Sequence, residues 1–395
     1  MNIMIVTFGK LINSAGGGER VFVNMANQFR ARGHEVSAFC WDDEAGMPFY
    51  QLDKNIYFKN LNERETPITV PKYIKLKREF LRFIGALKNN NNPALEWLNE
   101  YRKEFIKKAI ELRNPDLIIT YDSQSSVILK NMLKVKIPVI AMFHMSLQQI
   151  SESISEKERL AYSQMEMIQV LLPSDIAVAR KLFNAPVICI GNEIMQCKAP
   201  VDLSKEKSVY TIVSVGRLDR VQKRTHLLIQ AFGLLKDKYS NWEVEIWGDA
   251  DQKNSYGAGE LDKLIKENGS GRIRLCGVTK DIASVLSSAD IFAFPSAFEG
   301  FSLALGEAMS IGLPAVGYRS SPSVNEMIED GESGFLCEDG IEPFAEKLEL
   351  LMKDQELRVR MGQTAHAAMK KYSSESIWEQ WNSLVLRIGS KKHDK

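Results

Sequence analysis

The sequence predicts an α/β protein built from two parallel-sheet domains in tandem. Three observations carry that expectation. Short apolar runs alternate with amphipathic segments along most of the chain, they fall into two series, and a polar stretch separates the series. Strands buried on both faces read as continuous apolar runs rather than as strict alternation, and these runs have that character.

In the first series, "NIMIVT", "HEVSAFCW", "DLIIT" and "PVIAMF" are the expected strands. Helices are expected at 19–32, 99–112, 123–133 and 175–183. The second series offers "VYTIVSVG", "WEVEIWG", "RIRLCG", "DIFAFP" and "PAVGY", with helices at 225–236, 259–267, 282–287 and 302–311. Between them, "GNEIMQCKAPVDLSKEKS" (191–208) lacks periodicity, which places the linker there. The expected boundaries are 1–192, 193–373, and 374–395 for a last helix on which Ile377, Trp378, Trp381, Leu384, Val385 and Ile388 recur at helical spacing. "NNNNP" at 89–93 reads as a loop.

Composition excludes several classes. The 395 residues carry a formal charge of +1, so no global field favours nucleic acid. Five cysteines, odd in number and without a C-x-x-C pair, argue against a disulfide framework and a structural zinc site. "MNIMIVTFGK" reads as a first strand rather than a signal peptide, and no apolar run approaches the roughly 20 residues that span a bilayer. The expected location is cytoplasmic.

Open α/β sheets bind ligands at the carboxyl ends of their strands, so chemistry is expected in a cleft shared by the two domains. "SAGGGERV" follows the first strand. Its Gly16 and Gly17 would let backbone N–H groups approach an anion at a helix start, although the spacing is not G-x-G-x-x-G and a tight turn would need the same glycines. "VGRLDRVQKR" supplies Arg217 and Lys223 beside a strand end, a pairing suited to a diphosphate or to plain solvated surface. In "FEGFSLALGEAM", Gly300, Phe301, Ser302 and Leu303 open a helix, where N–H groups can meet an anion. Glu299 stands just before that turn and Glu307 inside the helix. Two carboxylates in apolar surroundings need partners, and sugar hydroxyls would serve, the plainer alternative being that both acids point to solvent. His144 ends a strand, where a structural role is the plainer alternative. Asp249 and Asp251 form an Asp-x-Asp that could hold a divalent metal, with a solvated loop as the preferred reading.

Taken together, "GGGERV" with "RGHEV", "GRLDRVQKR", "FPSAFEGFSLALGEAMSIGLPAV" and "VNEMIEDGESGFL" resemble the GT-B fold glycosyltransferases of family 4, which are retaining and use nucleotide sugars. The resemblance covers essentially the whole chain and is strongest over 208–336. It implies two Rossmann-like domains facing each other across a cleft, the first binding the acceptor and the second the donor. Arg217 and Lys223 would bind the donor diphosphate, Glu299 hydroxyls of the transferred sugar, and Glu307 the ribose. Backbone groups of Gly300 to Leu303 would contact sugar and phosphate, and those near Val278 the base. Gly16 and Gly17 would approach the phosphate, with His144 beside the sugar and Glu299 and His144 as the catalytic pair. Asp249 falls where relatives carry "GDG" or "GEG", so no metal and no bound cofactor is expected. Serine stands at 302 where many relatives have glycine, and "SSPSVNEMI" replaces a Gly-Gly-x-x-Glu-Ile type of segment.

The expected reaction moves a sugar from a nucleoside diphosphate, UDP by family frequency, to an acceptor hydroxyl. Similarity to bacterial members that build surface polysaccharide implies a lipid-linked acceptor. A soluble acceptor is one alternative, and a non-catalytic nucleotide-sugar-binding partner of another transferase is another. A sugar phosphorylase would need a pyridoxal phosphate lysine in a context not found here. Finally, residues 72–88 lay Lys72, Lys75, Arg78 and Arg82 on one helical face and Tyr73, Leu76, Phe80, Phe83, Ile84 and Leu87 on another. That stripe suits either core packing or peripheral contact with an anionic membrane.

Overall fold

A computed structural model describes residues 1–62, 68–87, 92–249, 256–257, 259–269 and 271–393. The loop expected at 89–93 lies largely outside them, as do residue 88 of the amphipathic stretch and Asp251. The chain divides into two units: Met1–Ile190 joined by the chain from Trp378 onward, and Gly191–Ile377.

Unit 1 runs β1 (Asn2–Thr7), α1 (Gly17–Ala31), β2 (Glu35–Cys40), β3 (Tyr57–Asn60), α2 (Lys72–Phe83), α3 (Pro93–Arg113), β4 (Leu117–Thr120), α4 (Ser123–Val127), β5 (Val139–Met142), α5 (Leu147–Ile150), α6 (Glu156–Tyr162), β6 (Met167–Val170), α7 (Pro173–Leu182) and β7 (Val187–Cys189). Its strands pair in parallel in the order β3-β2-β1-β4-β5-β6-β7. Unit 2 runs β8 (Tyr210–Val215), α8 (Thr225–Leu235), β9 (Trp242–Trp247), α9 (Glu260–Asn268), β10 (Ile273–Gly277), α10 (Ile282–Ser288), β11 (Ile291–Phe294), α11 (Leu303–Ile311), β12 (Ala315–Tyr318), α12 (Pro322–Met327), β13 (Gly334–Cys337), α13 (Ile341–Lys353) and α14 (Gln355–Ala368), followed by α15 (Ser374–His393). Its parallel order is β10-β9-β8-β11-β12-β13.

Both sheets place their apolar strands between helices, as the continuous runs predict. Ile3, Met4, Ile5 and Val6 are fully buried, as are Ile291, Phe292 and Ala293. In each sheet the winding reverses once, between β1 and β4 and between β8 and β11. A crevice opens at the carboxyl ends of strands where winding reverses. On α15, Trp378 and Trp381 pack edge-on against Phe29 of α1, so the apolar face of the last helix completes the core of unit 1.

Several elements differ from expectation. β3, β6, β7 and β13 are short strands that the sequence reading passed over. α3 begins at Pro93, six residues before the expected 99, because Asn92 caps it by accepting from the Ala94 and Leu95 N–H groups and Pro93 suits the first turn. The helix expected at 123–133 is α4 continued by a π-helical turn, Ile128–Met132. The stretch read as a linker is packed: Ile194 and Leu203 are buried, the Ile194 N–H donates to Tyr372 O, and the Val201 N–H to Ile311 O. Two isolated apolar residues are too sparse to show periodicity, yet enough to dock a segment.

At the carboxyl edge of unit 2 the ends of β8 and β9 nearly touch. Gly248 has φ +146°, and a Cβ there would lie 1.8 Å from Gly216 O. Replacing Gly248 by alanine meets both a forbidden backbone region and a backbone clash. Gly248→Ala is expected to destabilise the protein by about 3 kcal/mol, measured by equilibrium urea unfolding; a change within about 0.5 kcal/mol, ordinary for a surface site, would mean that the strand ends are not held this close.

Candidate functional site

In unit 2, Arg217 and Lys223 line the crevice between β8 and β11, opposite Phe294, Pro295 and Ser296. The turn after β8 is organised by Asp219, which the sequence reading did not single out. Buried at 1% exposure, it accepts from the Val221, Gln222 and Lys223 N–H groups at 3.0, 2.5 and 3.2 Å. A carboxylate holding three successive N–H groups bends the chain back on itself, and that bend fixes where Lys223 starts. The clip to β11 comes from Gln222: its carbonyl accepts from the Ala297 N–H at 2.7 Å, and its Nε2 donates to Phe298 O at 3.1 Å. Gln222 Oε1 in turn accepts from Arg217 Nη2 at 3.0 Å. Asp219 and Gln222 both act chiefly on backbone groups, which no sequence pattern displays.

Lys223 and Glu299 come together. The ammonium nitrogen lies 2.5 Å from Glu299 Oε1 and 5.0 Å from the centroid of the Phe294 ring. Both side chains are largely buried, Glu299 at 7% residue exposure. The cation therefore answers half of what Glu299 needs, and the pair keeps a buried charge from standing alone. Glu307, at 5% exposure on α11, is buried and not directed to solvent.

The turn opening α11 is stabilised from its flank. Ser302 makes no cap with its side chain; its Oγ bonds Ser323 Oγ at 2.9 Å. The Leu303 N–H donates to Phe301 O at 2.9 Å, so of the four N–H groups expected to face an anion, that of Leu303 is engaged. Val278 follows Gly277, which has φ +72°, at the end of β10 and is exposed. Asp249 is tied to the same edge by its carbonyl, which accepts from the Leu218 N–H.

In unit 1, Gly16 is the N-cap of α1 and Gly17 its first residue. Asp42, also missed, holds the preceding loop by accepting from the Leu11 and Ile12 N–H groups at 2.7 and 2.8 Å. Glu19 sits in the first turn of α1, bonded to Ser14 Oγ at 2.7 Å, and its carboxylate fills the space that a Cβ at Gly16 would need. His144 follows β5 and stacks on Tyr121 at 4.4 Å, its Nε2 buried with no partner among the described residues. Burial pushes its pKa down to about 4.

Two family models match consecutive parts of the chain. Glycosyltransferase Family 4 matches residues 15–171, which contain Gly16, Gly17 and His144. Glycosyl transferases group 1 matches 198–368, which contain Arg217, Lys223, Glu299 and Glu307. An uncharacterized glycosyltransferase of Haemophilus influenzae is 26% identical over 95% of this chain and 97% of its own. An alpha-1,4-N-acetyl-D-galactosaminyltransferase of Campylobacter jejuni, named for a GalNAc-containing substrate on PP-undecaprenol, is 22% identical over 98% and 99%. Among solved structures, sucrose-phosphate synthase of Thermosynechococcus elongatus has a TM-score of 0.78 at 18% identity, covering 99% of both chains. HepE of Anabaena, in complex with UDP-glucose, has a TM-score of 0.68 at 17% identity, covering 98% and 100%. The chain belongs to the glycosyltransferases and has the GT-B fold, as its motifs imply.

A buried imidazole with so low a pKa is neutral above about pH 5. His144 should accordingly show no titration between pH 5.5 and 8, estimated from about one unit above that pKa, when its ring resonances are followed by NMR and assigned with His144→Gln. A midpoint near the ordinary 6.5 would show that the ring is solvated.

Proposed function

We propose that the protein is a retaining glycosyltransferase that moves a hexose or N-acetylhexosamine from a UDP-sugar to an acceptor hydroxyl in cell-envelope polysaccharide synthesis. The observation that carries this reading is the Lys223–Glu299 pair in the unit 2 crevice. A diphosphate arriving there would draw Lys223 away, with Arg217 as a second cation, and leave Glu299 to accept from hydroxyls of the sugar. Glu307 takes the ribose diol, the N–H groups of Gly300 to Ser302 take sugar and phosphate, and the backbone near Val278 takes the base. Gly16 and Gly17 approach the phosphate and His144 the sugar, as a neutral hydrogen-bonding group rather than a general acid.

In the transfer step the bond from the anomeric carbon to the diphosphate oxygen breaks and a bond to the acceptor oxygen forms on the same face. The acceptor proton passes to the departing diphosphate. Arg217 and Lys223 stabilise charge as it grows on that group, while the Glu299 carboxylate supports positive charge at the anomeric carbon. No metal enters the step. Support for UDP comes from the fold shared with HepE, which binds UDP-glucose. Support for a lipid-linked acceptor comes from similarity to the Campylobacter enzyme. A thermal-shift panel of UDP, GDP and ADP checks the donor. UDP should raise the melting temperature most, by mass action on the folded state; a shift with GDP and none with UDP would overturn the assignment.

α2 supports peripheral membrane contact of the acceptor unit, on the cytoplasmic face. None of its residues is buried, and Tyr73, Leu76, Phe80 and Phe83 are exposed, Phe83 at 88%, with Ile84 beyond its end. The stripe is thus not a core face. Arg78 and Arg82 share the single carboxylate of Glu79, at 2.8 and 2.6 Å, and with Lys72, Lys75 and Lys77 they leave α2 a net charge of +4. Lysine beside exposed aromatic rings fits anionic headgroups over an acyl boundary, at about 1 kcal/mol per cation. Among the described residues no helix is long and apolar enough to cross a membrane. The protein should sediment with anionic liposomes at low salt and release as salt rises, and replacing the three lysines by glutamine should weaken sedimentation while sparing UDP binding. Failure of the wild type to sediment at low salt would remove α2 from the membrane.

A further inference from the structure

Unit 1 contains a cavity of about 360 Å³ at the carboxyl edge of its sheet, within the range of about 300–1,000 Å³ typical of small-molecule sites. Its walls come from the start of α3, the start of α4, the residue after β5, and the segment through α5 and α6. Nothing in the sequence motifs pointed to it.

The wall chemistry is selective. Asn99, at 6% exposure, donates from Nδ2 to Gln124 Oε1 at 2.7 Å, while its Oδ1 is buried with no partner among the described residues. A buried acceptor left unmade is unfavourable, so this wall is suited to a ligand that brings a donor. The rim carries one cation and two carboxylates. Lys157 pairs with Glu96, and Glu158 accepts from the Ser155 N–H and Oγ, both at 2.8 Å. The N-terminus of α3 is closed by the Asn92 cap. Among the described lining residues the one cation, Lys157, is already paired, so the cavity does not suit phosphate or a nucleotide. A hydrocarbon chain is no better, because it would leave the Asn99 oxygen unpaired. Much of the remaining wall is apolar, from Leu95, Val127, Phe143, Ile154 and Tyr162, with the Phe143 and Tyr162 rings 4.8 Å apart, and Ser123 and Ser153 stand among them. Amides on one side and ring faces on the other match a pyranose, which carries hydroxyls around its edge and C–H bonds on its face.

We propose that this cavity is a subsite for one uncharged pyranose residue of the acceptor glycan, its hydroxyls on Asn99 and Gln124 and its C–H face toward Phe143 and Ile154. The assignment rests on the reading of unit 1 as the acceptor-binding half of a glycosyltransferase. Phe143 directly precedes His144, so the chain itself links the subsite to the residue proposed to face the transferred sugar.

The test is saturation-transfer NMR on the full chain with the methyl α-glycosides of glucose, galactose, N-acetylglucosamine and N-acetylgalactosamine. At least one should receive saturation from the wild type. Asn99→Leu, which keeps the side-chain size and removes the amide, should weaken that binding about tenfold, the effect of one lost hydrogen bond to a buried group. Ile154→Trp fills the cavity from the α5–α6 segment and should do the same, which covers the case in which Asn99→Leu does not fold. Both variants should keep the UDP-induced thermal shift. No signal from any glycoside with the wild type, or unchanged binding in both variants, would overturn the subsite. UDP-dependent turnover alongside no glycoside binding would remove the subsite and leave the transferase. Glycoside binding lost in the variants, with no nucleotide binding in the wild type, would keep the subsite and remove the donor reading.

Discussion

The geometry of the unit 2 crevice depends on one buried ion pair, Lys223 with Glu299. Two charges withdrawn from water are tolerable together and unfavourable apart, so the segments that carry them must arrive at the same place. The surrounding structure enforces this. Asp219 folds the turn that launches Lys223, Gln222 ties that turn to the strand end that launches Glu299, and the contact of Gly248 with Gly216 lets the ends of β8 and β9 close up behind it. Arg224 adds a further tie, donating from Nε to Pro295 O at 3.0 Å with its guanidinium 4.4 Å from the centre of the Tyr318 ring. A site built this way is preorganised before any ligand enters, and in the proposed reading the pair is the part that ligand binding rearranges.

The two halves solve different problems. Unit 2 holds charge in a tight crevice, where cations and helix-opening N–H groups converge. Unit 1 offers a neutral, amide-lined cavity and an exposed helix with lysines beside aromatic rings. The contrast matches a division between an anionic substrate, whose recognition is electrostatic, and a glycan, whose recognition is by directed hydrogen bonds and ring faces. His144 belongs to the second kind of chemistry, since burial keeps its ring neutral.

Much of this was legible in the sequence because the signals were local. Apolar runs gave the central strands of both sheets, and Glu299 and Glu307 announced themselves as acids in apolar company. The short strands β3, β6, β7 and β13 were not legible, because three or four residues carry too little pattern to stand out. α3 was read as starting late, since "NNNNP" looks like a loop although Asn92 and Pro93 are helix-start residues. Asp219 and Asp42 were missed because their partners are backbone N–H groups, which no sequence pattern displays. The cavity of unit 1 was beyond reach for the same reason. Asn99, Gln124, Phe143 and Ile154 are far apart in the chain and meet only through tertiary packing. In α2 the pattern was visible but its meaning was not, since periodicity alone does not tell a core face from an exposed one.

The central claim is a division of labour within the ion pair, with Lys223 serving the nucleotide diphosphate and Glu299 the transferred sugar. Glu299→Gln tests it most directly, by calorimetric titration with UDP beside turnover of the UDP-sugar that the wild type uses. Removing the carboxylate should leave UDP affinity close to that of the wild type and reduce turnover by a factor of about 100 to 1,000, the range seen when one electrostatic group at a reacting centre is removed. Equal losses in UDP affinity and in turnover would contradict the account, because Glu299 would then act as part of the nucleotide site.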